Sequence, residues 1–110
     1  MEISSDVWAY ALIRRVELAG AFATVARKGD AAAGAVLVKT LDRRSGAARL
    51  YARATRGQGD QVWMQPVPST AEPDIDAYID RAARIDPDIW VVEIEDPDGV
   101  RFLTEPVEKG

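Results

Sequence analysis

The sequence predicts an α+β domain: a mainly antiparallel, curved sheet of five to six strands with two amphipathic helices, in the order α-β-β-β-β-α-β-β. Three observations lead there. Apolar residues recur at helical spacing in two separated stretches. Between and after them lie short runs rich in β-branched and aromatic residues, divided by Gly, Asp and Pro turns. The connections are short, which favours hairpins, an antiparallel sheet and two helices covering one of its faces. Nothing along the 110 residues reads as a linker, so residues 1–110 form a single domain.

The elements follow in order. Ser4, Ser5 and Asp6 offer helix caps, and Trp8, Ala9, Leu12, Ile13 and Val16 recur as one stripe, so a helix runs from about Asp6 to Ala19, closed by Gly20. Ala21 to Arg27 reads as a strand, ended by the Lys28-Gly29-Asp30 turn. Ala35 to Leu41 is the strongest strand, apolar and β-branched. Arg43 to Gly46 is a hairpin loop, and Ala47 to Ala54 alternates, with Arg49, Tyr51 and Arg53 on one side. After a glycine-containing loop, Gln61 to Gln65 is a short strand ended by Pro66. Pro73 opens a second helix with Ile75, Tyr78, Ile79, Ala82 and Ile85 as its stripe. Ile89 to Glu95 is a strand, Asp96-Pro97-Asp98-Gly99 a tight turn, and Val100 to Leu103 its hairpin partner. Thr104 to Gly110 reads as a frayed tail.

Composition excludes more than it suggests. There is no histidine and no cysteine, which removes thiol nucleophiles, disulfides, thiolate and imidazole metal sites and any side chain that titrates near neutrality unperturbed. No apolar run approaches the ~20 residues of a membrane span, and Met1 to Asp6 is acidic and polar, unlike a secretory leader. A cytoplasmic location is the expectation. The net charge of −4 divides unevenly: residues 1–56 carry ten basic and five acidic side chains, residues 57–110 four and thirteen.

The stretch Arg14-Arg15, Gly20-Ala21-Phe22, Arg27-Lys28-Gly29-Asp30 and Gly34-Ala35-Val36-Leu37-Val38-Lys39, with Asp86-Pro87-Asp88-Ile89-Trp90-Val91-Val92-Glu93, resembles a family of small alphaproteobacterial proteins known as domain of unknown function 1491. The resemblance runs from about Val7 to Leu103. It implies a bacterial, cytoplasmic protein and brings no activity with it.

Four constellations remain for function. Arg27, Lys39, Arg49, Tyr51, Arg53 and Trp63 could share a sheet face, with Arg43 and Arg44 at the hairpin tip extending it; cations interleaved with rings suit single-stranded nucleic acid or another anion. Against this, Glu93 and Glu95 could pair with Arg49 and Arg53 across strands. As an enzyme site, Glu93-x-Glu95 lacks a third ligand or base, and the strand at Arg49-Leu50-Tyr51 has no acid of the kind metal-dependent nucleases need. Gly57-Gln58-Gly59 and Asp96-x-Asp98-Gly99 are turns; the latter has Val107 where a calcium loop requires its glutamate. Last, an edge strand with Trp63 and Met64 exposed would offer a protein interface. The expectation is therefore a non-enzymatic protein-interaction or assembly module with no cofactor, working through the sheet edge and Trp63–Met64, with anion binding by Arg43, Arg44, Arg49, Tyr51 and Arg53 as the rival.

Overall fold

The computed structural model describes residues 3–108. Helix α1 (Ser5–Leu18) starts where Asp6 accepts the Ser4 hydroxyl and the Val7 N–H. It ends in a Schellman motif: the Ala21 N–H donates to Val16 O and the Gly20 N–H to Glu17 O, with Gly20 at φ 84°. Five strands follow the expected order, β1 (Phe22–Arg27), β2 (Val36–Leu41), β3 (Ala48–Arg56), β4 (Asp60–Met64) and, after helix α2 (Glu72–Ile85), β5 (Trp90–Glu95). They form one sheet in the spatial order β1-β5-β2-β3-β4. All pairs are antiparallel except β2–β5, which run parallel at the centre.

Three expectations change. The helices lie on opposite faces. Val36, Val38, Trp90, Val92 and Ile94 pack with α1 through Trp8, Ala9, Leu12 and Val16, whereas Leu37, Leu41, Leu50 and Val91 pack with α2 through Ile75. Every residue of β2 is buried as a result, the pattern of a strand covered on both sides. Second, residues 99–102 form a short 3₁₀ turn, η1 (Gly99–Phe102), in place of a last strand. Arg101 folds back to grip Asp96 with two hydrogen bonds, and Phe102 and Leu103 enter the α1-side core. The tail is also ordered as far as Glu108. Trp63 donates its N–H to Pro106 O and accepts the Glu108 N–H, so residues 106–108 bridge the outer edge of β4. Residues 109 and 110 of that expected tail lie outside the described residues.

Candidate functional site

Alternation along β3 puts Arg49, Tyr51 and Arg53 on the α1-side face, and the register Arg53↔Trp63 adds Trp63 to it. Lys39 stands opposite Leu50 and belongs to the other face. Glu93 and Glu95 lie there too, beside Lys39 and Leu41, so neither acid reaches Arg49 or Arg53. Among the described residues these two arginines form no salt bridge. The Arg53 guanidinium lies 5.2 Å from the Trp8 ring centroid, a cation–π contact. Arg53 borders a 220 Å³ cleft with Ser5 and Gly34, and Arg49 a 240 Å³ cleft with Thr40 and Asp98.

The two rings of that face are core residues. Tyr51 is buried, and burial raises its phenol pKa. Trp63 is fully buried, its ring tilted by 41° against Trp8 with 5.6 Å between centroids, and its indole N–H donates to Glu105 at 3.0 Å. The exposed anchor expected at Trp63 is therefore absent; only its neighbour Met64 reaches the surface. The arginines present charge without an exposed ring from Tyr51 or Trp63.

Arg43 and Arg44 lie apart from this face. Arg43 makes a fork with Glu95, Nε to Oε2 at 2.9 Å and Nη2 to Oε1 at 2.5 Å, a bidentate geometry that holds the guanidinium in place. The hydrogen bond from Arg43 keeps the Glu95 carboxyl below its usual range. Arg44 stands at the same hairpin tip beside a 560 Å³ crevice floored by Phe22 and Pro97. Thus the anion-binding set divides between two sides of the sheet.

A further cluster was not legible in the sequence. The Lys39 ammonium meets Glu72 at 2.7 Å, Asp76 at 2.8 Å and Glu93 at 3.3 Å, with its side chain only 6% exposed. Burial alone would lower its pKa, but hydrogen bonds to Asp76 and Glu72 and the charge of Glu93 outweigh that and raise it. A lysine held protonated is no nucleophile or base, and its ammonium occupies the point where a cation would sit. Among the described residues, no group of three or more acids is arranged to hold a metal ion. The only sequence signal was a charge inside the most apolar strand.

The sheet edges are blunted. A bulge between Val25 and Arg27 interrupts the β1 ladder, and the C-terminal bridge covers β4 at Trp63; both devices discourage strand addition. The outward side of α1 is different. Val7, Tyr10 and Leu18, with Ile3 just before the helix, are 54%, 50%, 75% and 55% exposed. Their three- and four-residue spacing, continued by Arg14, forms a second apolar stripe opposite the one that meets the sheet.

The family model described as "Protein of unknown function (DUF1491)" matches residues 3–104. The chain belongs to the DUF1491 family. A crystal structure of a DUF1491 protein from Caulobacter crescentus is similar at 74% identity and a TM-score of 0.93, over 97% of this chain and 100% of that one. A solution structure from the same organism gives 73% identity and 0.89, over 99% of both. A solution structure from A. tumefaciens gives 33% and 0.81, over 99% of this chain and 98% of that one. No curated protein matches.

Three of the stretches that carry the DUF1491 resemblance, those at Arg27–Asp30, Gly34 and Pro87–Trp90, meet in space. The Asp30 N–H donates to Asp88 O, the Trp90 indole N–H to Asp30 O, and Arg27 to Pro87 O. A Cβ built on Gly29 or on Gly34 would collide with Asp88 O. These contacts lock the β1–β2 connection onto the start of β5, while Gly20 to Phe22 and Gly34 to Val36 line parts of the 560 Å³ and 220 Å³ clefts.

Proposed function

We propose that this DUF1491 protein is a non-enzymatic binding module whose contact surface is the outward face of α1, and that it works in the cytoplasm. The observation that carries this reading is the exposed stripe Val7, Tyr10 and Leu18 on a helix already apolar toward the sheet. A helix apolar on two opposite sides leaves one of them unpartnered. The blunted edges and the buried Trp63 shift the interaction surface away from the sheet edge. The ammonium locked among Glu72, Asp76 and Glu93 supports a structural role for the most acidic cluster. Among the described residues, no helix is long and apolar enough to cross a membrane.

The test compares the wild-type chain with Leu18→Lys, by light scattering and by retention of partners from native lysate. Assembly or a partner lost in the variant supports the reading; a strict monomer that retains nothing, or behaviour unchanged by the variant, contradicts it. A second reading, anion binding, rests on Arg49 and Arg53 standing without acidic partners on one face. It requires binding of labelled single strands or a polyanion that weakens steeply with salt and is lost in Arg49→Gln/Arg53→Gln.

A further inference from the structure

We infer that the partner seated on the outward face of α1 is a second copy of this chain, packed antiparallel across a two-fold axis near Tyr10. This rests on the binding-module reading above and names its occupant. The outward face of α1 is complementary to itself. A two-fold interface must match a patch with itself, reversed. On α1 the acid Asp6 lies four residues before Tyr10 and the base Arg14 four residues after it. Antiparallel packing about Tyr10 therefore brings Asp6 of each copy toward Arg14 of the partner subunit, whereas parallel packing would set like against like. Asp6 is held ionised, its pKa lowered first by the Ser4 hydroxyl and then by the Val7 N–H. Opposed helix dipoles favour the same arrangement.

The apolar ends also match. Ile3 and Leu18 lie at opposite ends of the stripe, so reversal brings Ile3 of one copy near Leu18 of the partner subunit. Tyr10 sits in the middle with its ring edge against Trp90, 6.0 Å between centroids, while half its surface stays outside. That contact pre-orders the ring and lowers the entropy lost on association. A 14-residue helix is about 21 Å long, and one such face per copy falls below the ~1,200 Å² of a standard interface. The dimer is therefore weak, with Kd in the micromolar range.

The absence of cysteine makes the test clean. Light scattering from about 10 µM to about 500 µM should show the mass rising toward twice the 12.0 kDa of one chain. Leu18→Lys should weaken association about tenfold or more, and Arg14→Glu several-fold, with unchanged thermal melts because both side chains are exposed. Tyr10→Cys should cross-link under mild oxidation, and Ile85→Cys, on the outside of α2, should not. A monomer over the whole range overturns the proposal, as does equal cross-linking at both cysteines. A monomer that retains a lysate partner, and loses it in Leu18→Lys, also overturns it while leaving the binding-module reading intact.

Discussion

Lys39 and Glu93 stand side by side on the parallel strands β2 and β5, their charges 3.3 Å apart beneath α2. The same ammonium holds Glu72 and Asp76 on α2, so one side chain ties the helix to the centre of the sheet. Lys39→Met should cost about 2–3 kcal/mol, because three carboxylates then lie close together without a counter-charge. Asp76 and Glu72 are half-exposed, which keeps the cost toward the low end. Urea denaturation reads the loss, and adding Glu93→Gln should restore part of it.

Stability should be flat from about pH 5 to about pH 9.5, since no histidine titrates between. On the acid side, the folded pKa is lowered for Asp6, Asp42, Glu95 and Asp96 by hydrogen bonds from Ser4, Ser45, Arg43 and Arg101 respectively. Their contribution is in place above the unfolded value of about 4 and is lost as pH falls through the folded values. On the alkaline side Lys39 and Tyr51 have raised folded pKa values. Their contribution holds below pH about 10 and is lost above it. Thermal melts across pH check both limits.

Gly29→Ala should be among the most damaging small substitutions, about 3 kcal/mol, because its Cβ collides with the Asp88 backbone, which cannot swing aside. Gly46→Ala meets open space but a φ of 78°, and should cost only about 1 kcal/mol. Chemical denaturation of the two variants separates close packing from backbone conformation.

Trp63→Phe should lose about 2 kcal/mol, since it removes a fully buried indole and its hydrogen bond to Glu105. Binding through α1 should be unaffected. Met64→Ala at the surface should lie within ~0.5 kcal/mol of wild type. A large binding defect from Met64→Ala with normal stability would return the interface to β4.

Local patterns were legible in the sequence and long-range ones were not. The core stripe of α1, the alternation of Arg49, Tyr51 and Arg53 and the turns at Gly20 and Gly46 are set by neighbours a few residues apart. The parallel pairing of β2 with β5 depends on residues some fifty positions apart and leaves no local trace. The unbroken run Val36-Leu37-Val38 was the available sign that both faces are covered. Trp63 misled because Gln61, Met64 and Gln65 surround it, while the tail that buries it returns from residues 105–108. Lys39 hides its role because two of its acids are on α2. The outward stripe of α1 has the same spacing as the inward one, and only the structure shows that one is buried in the core while the other stays half or more exposed, Tyr10 alone touching Trp90.

The amide NMR spectrum recorded from about 20 µM to about 1 mM decides whether the outward face of α1 is where two copies of this chain meet. Concentration-dependent shifts should be confined to α1, centred on Val7, Tyr10, Arg14 and Leu18. A spectrum that does not change, or shifts centred on Arg49 to Arg53 or on Met64, would contradict such a dimer.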